Sequence, residues 1–270
     1  MTTTKTRLSW PPIVARAADI VRSYDTGVTL RQLFYRLVVE GIIENTRPMF
    51  QRLSRYTGEA RRAGTFPDLI DPNREIHRYD SFTGPDDALD YLAETYRRDR
   101  TEGQEVSLYL CVEKTALVEQ LLSWFGDTGI PILALGGYAS QSYVKQVATD
   151  VGRQGRPAVL LYAGDFDPSG QDIDRDFVER TGCFDEVIRV ALNADQVVEY
   201  DLPPQMGKAK DPRASAFRER HGRLVQVELD ALDPVTLRGL YTEAMDDLWD
   251  TSAYETAVAR EAQDRELLIR

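Results

Sequence analysis

Cysteine and histidine are the scarcest useful ligands in this 270-residue chain, with two of each. Cys111 and Cys183 lie in apolar or turn contexts without metal-ligand spacing, so neither a disulfide framework nor a zinc cluster is expected. His77 and His221 stand far apart and beside no cysteine, which removes the usual zinc constellation. No apolar run approaches the roughly 18 residues that a bilayer span requires. The opening MTTTKTRLSWPP is polar and lacks the apolar segment of a secretory signal, so a reducing cytoplasm is the expected location. Internal repeats and low-complexity tracts are missing as well. Basic residues are outnumbered, 33 against 44 acids, and the net charge of −11 speaks against a uniformly basic nucleic-acid binder.

What is present describes a globular chain. Hydrophobic residues make up 42% and charged residues 29%, over a length that suits one large or two modest domains. The charge is unevenly placed. Residues 1–64 hold eleven Lys and Arg against five acids, a net +6, so the other 206 residues carry −17. A basic front ahead of an acidic back predicts two units with different tasks, the bland alternative being a solvated asymmetry. Counterion release needs only a local basic face.

Apolar spacing then divides the chain. Residues 10–64 read as three helices. The first, 10–24, opens on Pro11-Pro12 and repeats Ile13, Val14, Ala17, Ile20 and Val21 at helical spacing. Thr29 can cap a second helix whose stripe is Leu30, Leu33, Phe34, Leu37 and Val38, with Gly41 to end it. Pro48 begins a third that runs toward Gly64, with Met49, Phe50, Leu53 and Ala60 inward and arginines outward. Three short helices with a basic third outline a helix-turn-helix or winged-helix unit, and also small bundles unrelated to DNA. The expected domains are 1–80 for this unit, 81–104 for a linker holding a helix near 86–98, and 105–270 for an α/β unit. There VSLYLCV (106–112), 130–135, PAVLLYA (157–163) and 186–192 read as strands separated by helices. Such alternation predicts a mainly parallel sheet.

Open parallel sheets bind ligands at the carboxyl ends of their strands. Glu113 directly follows the first strand. Asp165 and Asp167 follow the third, in GDFDPSGQD, and their alternate spacing lets both project to one side. Three converging carboxylates repel one another unless protons or a divalent cation compensate, and Mg²⁺ held by carboxylates, waters and phosphate oxygens is the natural solution. Gly164 and Gly170 permit the tight turn, and Gly170 can admit phosphate near the next helix start. Acids at strand ends also occur as plain loop residues or helix caps. On the second helix, Tyr35 lies about 135° from the centre of the apolar face, with Arg31 one turn earlier on the same exposed side. That phase fits a packing tyrosine, a base-stacking one or a nucleophile. A phenol with a pKa of about 10 attacks phosphate only with help from a guanidinium or a metal.

The VEK…DFDPSG pattern resembles the Toprim fold shared by topoisomerases, primases and some nucleases. GGYAS (136–140), LNADQVVEYDLPPQMGKAKDPRASAF, VELDAL and TLRQLFYRLV (29–38) narrow the resemblance to one branch. That branch is the A subunit of topoisomerase VI with the related meiotic double-strand-break transesterase, and the similarity covers about 28–245. The resemblance implies a winged-helix domain followed by a Toprim domain, a homodimer, and Mg²⁺ held by Glu113, Asp165 and Asp167. It places the DNA-cleaving tyrosine at Tyr35, with Arg31 steadying the phosphate and Glu113 as metal ligand or general acid/base. The reaction it implies is double-strand cleavage through a 5′-phosphotyrosyl link, the tyrosine of one subunit working with the acidic site of the other. Arg52, Arg55, Arg61 and Arg62, with Lys208 and Lys210, are expected to hold double-stranded DNA.

The chain also departs from that branch. Phe-Tyr follows Gln-Leu where many members have an acid and two aromatics. The chain is shorter than the usual A subunit, resembling compact bacterial or phage-type members, and contains no GxxxxGK[ST] motif. Strand passage therefore calls for an ATPase (B-type) partner subunit. Two other readings stay open: a Toprim nuclease using metal-activated water, and a non-catalytic dimeric DNA-binding module. All three place the protein with the nucleoid in the cytoplasm, away from membranes.

Overall fold

Thr29 and Gln32 satisfy each other at the start of a helix: the Thr29 hydroxyl accepts the Gln32 N–H and the Gln32 carboxamide accepts the Thr29 N–H. This capping box fixes where the second helix begins. In the computed structural model, which describes residues 8–24, 26–70, 78–206 and 211–268, three helices form the N-terminal unit. They are α1 (Trp10–Arg22), α2 (Leu30–Val39) and α3 (Arg47–Arg62). Proline in the first turn of α1 and α3 uses positions where a backbone N–H has no partner anyway. Ile13, Ala17, Ile20 and Val21 of α1 pack with Leu33, Phe34 and Leu37 of α2 and Leu53 of α3.

The chain next forms α4 (Pro85–Thr95) and then alternates strand and helix. The order is β1 (Ser107–Val112), α5 (Val118–Phe125), β2 (Ile132–Ala134), α6 (Gln141–Gln154), β3 (Ala158–Ala163), α7 (Gly170–Thr181) and β4 (Glu186–Ala191). The four strands form one parallel sheet in the order β2-β1-β3-β4. The α/β class with a parallel sheet is as expected. Every residue of β1 and β3 is buried, because these central strands are covered on both faces. Leu108, Leu110, Val112, Val159, Leu161 and Ala163 join the core shared with the N-terminal helices. Tyr109, Cys111, Leu160 and Tyr162 face α6 and α7 on the other side, as a two-residue period requires.

Beyond the four expected strands and the helices between them, the structure adds α8 (Ala194–Glu199), α9 (Ala214–His221), α10 (Pro234–Asp246) and α11 (Thr251–Leu268). Two short strands also form there. β5 (Gln205–Met206) pairs antiparallel with β6 (Val225–Gln226), which lies between α9 and α10. The next residue, Val227, exchanges two backbone hydrogen bonds with Phe166, of 2.9 and 3.0 Å. That bridge delivers residues 228–231 to the carboxyl end of the sheet, where they also pack on α2. The linker helix is shorter than expected. It stops at Thr95 because Tyr96 turns extended and the following arginines fasten to Glu261 and Asp264 of α11.

Candidate functional site

At the end of β1, the Glu113 N–H donates to the Ala163 carbonyl at 2.9 Å, which keeps Glu113 in sheet register. Its carboxylate turns to the neighbouring strand end, where Oε2 accepts the Asp165 N–H at 2.8 Å. Asp167 Oδ1 accepts the Gly170 N–H at 2.6 Å and so caps the start of α7. Gly170 is a steric requirement: a Cβ there would overlap the Asp165 carbonyl oxygen and lie 3.1 Å from Glu113 Oε2. Gly136 and Gly137, at φ of 61° and 109°, turn the chain after β2 over the same end of the sheet.

The three acids do not converge on one point. Lys114 is extended, with φ −96° and ψ 116°, so it projects away from the side chain of Glu113. Its ammonium lies 3.0 Å from Asp165 Oδ2 and 3.2 Å from Asp230 Oδ2, and it donates to Glu228 Oε2. Asp165 Oδ1 accepts the Leu229 N–H at 2.7 Å. Arg31 reaches the same group from α2, 2.7 Å from Glu228 Oε2 and 3.3 Å from Asp230 Oδ2. Asp165 thus belongs to a five-membered ionic cluster, while Glu113 and Asp167 form a separate pair.

The electrostatics follow from this division. Burial pushes the Asp165 carboxyl up to about 7, with Glu113 and Glu228 adding repulsion that Lys114 only partly offsets. Burial also raises Glu113; repulsion from Asp167 adds to it, and the Asp165 N–H and Lys114 oppose it. Burial would raise Glu228, yet its interactions with Lys114 and Arg31 hold it below the ordinary range. Lys114 is raised, because Asp230, Asp165 and Glu228 outweigh its own burial.

No set of three His, Cys, Asp or Glu side chains able to hold a metal is assembled among the described residues, so the three expected acids are not gathered as one ligand group here. Asp165 is drawn to Lys114 because that ammonium is the nearest charge able to compensate it. Glu113 and Asp167 nevertheless fit a Mg²⁺ ion. Each keeps one carboxylate oxygen that accepts no hydrogen bond among the described residues, and they repel each other across a partly buried space. Mg²⁺ binds through one or two carboxylates, with waters and phosphate oxygens completing its octahedron.

Tyr35 is corrected too. It is 5% exposed and belongs to the core, not to an outward face. Helical phase identifies the side packed on α1 and α3, but α2 also packs against residues 229–231. The Tyr35 ring meets Phe34 edge-on at 5.4 Å, and the Arg31 guanidinium stands 5.9 Å from its centre. Tyr35 still lines a 310 Å³ cleft together with Arg31, Asn45, Arg47, Phe50 and Glu228. A larger cleft of 780 Å³ runs between the helical unit and the sheet end, with Arg31, Ser54, Arg61, Glu113, Lys114 and Gly136 among its walls. Arg31 is common to both. Of the other arginines, Arg52, Arg55 and Arg62 face solvent, and Arg55 lies over Tyr56. Lys208 and Lys210 fall outside the described residues.

Lys114, Glu228 and Asp230 are the site residues that sequence reasoning missed. All three stand in stretches that carried the resemblance, VEK and VELDAL. The Glu228–Asp230 alternation repeats that of Asp165 and Asp167, a signal that was readable. No protein-family model matches the chain, and no curated protein is significantly similar to it.

Proposed function

We propose that the chain is a divalent-cation-dependent DNA-cleaving enzyme of the topoisomerase VI A type, its helical unit a winged helix and its sheet unit a Toprim domain. One observation carries the reading: the 780 Å³ cleft joins the basic helical unit, through Arg31 and Arg61, to the acidic strand end at Glu113. A cleft walled by arginines on one side and a carboxylate on the other suits a phosphodiester approaching a bound cation. Glu113 and Asp167 would hold Mg²⁺, which would supply Lewis-acid polarisation of phosphate oxygens.

The chain's own residues take the remaining roles. Arg31 holds the phosphate from the helical side, and this requires it to exchange a carboxylate of Glu228 or Asp230 for a phosphate oxygen. The Tyr35 oxygen attacks phosphorus and the 3′-oxygen of the neighbouring nucleotide leaves, giving a 5′-phosphotyrosyl link. The phenolic proton passes to solvent at the acidic site, because the Glu113 oxygen not engaged by the Asp165 N–H is the one that would bind the cation, and the departing 3′-oxygen takes up a proton from solvent. In a homodimer the tyrosine of one copy serves the acidic site of the other, so two such events cut both strands. Strand passage belongs to an assembly with an ATPase partner. The protein acts on double-stranded DNA in the cytoplasm, at the nucleoid; no described helix is long and apolar enough to cross a membrane.

The burial of Tyr35 favours a second reading, in which metal-activated water cuts the DNA and Tyr35 is a packing residue. Supercoiled plasmid incubated with the chain and Mg²⁺ decides between them. Cleavage lost in both Glu113→Gln and Asp167→Asn supports the metal site. Cleavage also lost in Tyr35→Phe supports the transesterase, whereas undiminished cleavage by Tyr35→Phe supports the water-using nuclease. No cleavage by the wild-type chain, with or without an ATPase partner, leaves a DNA-binding module.

A further inference from the structure

Metal-dependent phosphoryl-transfer centres commonly meet their charge requirement in one of two ways. Either two metal ions stand about 3.5–4 Å apart, or one ion works beside fixed protein cations. The carboxylates of this site are split in a way that bears on the choice. Among the described residues, no cationic side chain is bonded to Glu113 or Asp167. On the other side of Glu113, Asp165, Glu228 and Asp230 are 7%, 9% and 3% exposed. They surround one ammonium at 3.0 Å, at a shorter hydrogen-bonded distance, and at 3.2 Å, in that order. Three carboxylates around one small cation, all supplied from the strand end and the segment bridged to it, resemble a metal coordination set more than a surface ion pair. The Glu-Lys order explains how one strand end serves both places. The extended backbone at Lys114 sends consecutive side chains to opposite sides.

We infer that Lys114 is a built-in cation occupying the position of a second divalent ion, so that this site binds one Mg²⁺ per chain, on Glu113 and Asp167. The inference rests on the metal reading above and deepens it by setting the number of ions. An ammonium of fixed position holds Asp165, Glu228 and Asp230 together whether or not metal is bound. It cannot be removed by chelation, and it leaves Arg31 as the member of the cluster that is free to change partners.

The test counts ions. Mn²⁺, a spectroscopic substitute for Mg²⁺, is titrated into the full chain and bound ions are counted by electron paramagnetic resonance. One ion per wild-type chain is expected, falling to none in Glu113→Gln. Lys114→Met removes the charge and leaves three carboxylates facing the gap, so its count should rise to two; Lys114→Arg should keep one. Two ions in the wild-type chain, or one in a folded Lys114→Met chain, overturn the inference. If Lys114→Met does not fold, Asp230→Asn decides. A count of one in both wild type and Asp230→Asn supports the inference, and a wild-type second ion lost in Asp230→Asn overturns it. A wild-type chain that binds none contradicts the metal reading itself, an outcome distinct from a count of two.

Discussion

At Gly170 a single hydrogen atom decides whether the acidic strand end can form. A methyl group there would overlap the Asp165 carbonyl oxygen, and backbone cannot yield as a flexible side chain does. Gly170→Ala should therefore destabilise the chain by about 1–3 kcal/mol, read as a lower midpoint in urea denaturation. It should also weaken Mn²⁺ binding, because Asp167 and Glu113 are both positioned through this turn. Tyr35 makes a different point. Its ring is core, so Tyr35→Ala should cost about 3–5 kcal/mol. Tyr35→Phe keeps the ring and should cost no more than about 1.5 kcal/mol. A chemical defect in Tyr35→Phe is then separable from a folding defect, which is why the conservative variant belongs in the cleavage assay.

Among the elements, α11 shows how a helix with little amphipathic pattern is held. Its buried residues are Ala257 and a charged one, Glu261, which accepts from Arg100 Nε at 2.9 Å and Nη2 at 2.6 Å. The Arg98 N–H donates to it as well. The Arg100 hydrogen bond, outweighing burial, holds the Glu261 carboxyl down at about 2. Removing Glu261 leaves Arg100 only its contacts to Asp127, so Glu261→Ala should cost about 3 kcal/mol, the lower end for a broken buried pair. The pH dependence has a definite sign. A carboxyl depressed in the folded state contributes stability above its unfolded pKa of about 4.3, and that contribution fades as pH falls toward 2. The stability gap between wild type and Glu261→Gln, measured by denaturation from pH 7 downward, should stay constant to about pH 5 and narrow below it.

These elements also mark how far sequence alone can reach. β1 and β3 are readable because a strand covered on both faces is a continuous apolar run, and α2 because its cap and stripe agree. The acids fall at strand ends by the same logic. α11 is not readable in this way, whereas α10 is, with Leu237, Leu240, Tyr241, Ala244 and Met245 at helical spacing: α11 is anchored by an ion pair with the distant linker, and hydrophobic periodicity carries no trace of that. The partition of the site is hidden for a related reason. Whether Asp165 meets Glu113 or Lys114 depends on the 228–231 segment, which arrives through the Phe166–Val227 bridge. That same segment also packs on α2, and helical phase reveals one covered face and not a second one supplied from far along the chain.

On the scale of the whole molecule, the charge is segregated. The basic helical unit and the acidic remainder meet at the cleft where Arg31 is already engaged by Glu228 and Asp230. If the proposed function holds, DNA binding depends on exposed arginines of α3, and removing one phosphate-binding arginine should reduce the salt dependence of the affinity by about 0.9 in log–log slope. Replacing Arg52, Arg55 and Arg62 together by Ala should flatten that slope by about 2–3. The thermal midpoint should stay near that of the wild type, as expected for solvent-facing side chains.

The central claim is that Tyr35 and the acidic strand end together break a DNA backbone. Its most direct test is to stop a Mg²⁺-dependent reaction with denaturant, digest the DNA, and map any residual nucleotide on the chain by mass spectrometry. The account predicts a nucleotide joined through its 5′-phosphate to Tyr35, missing in Tyr35→Phe and in Glu113→Gln. Cleaved DNA with no nucleotide on the chain, or a nucleotide on another residue, would contradict it.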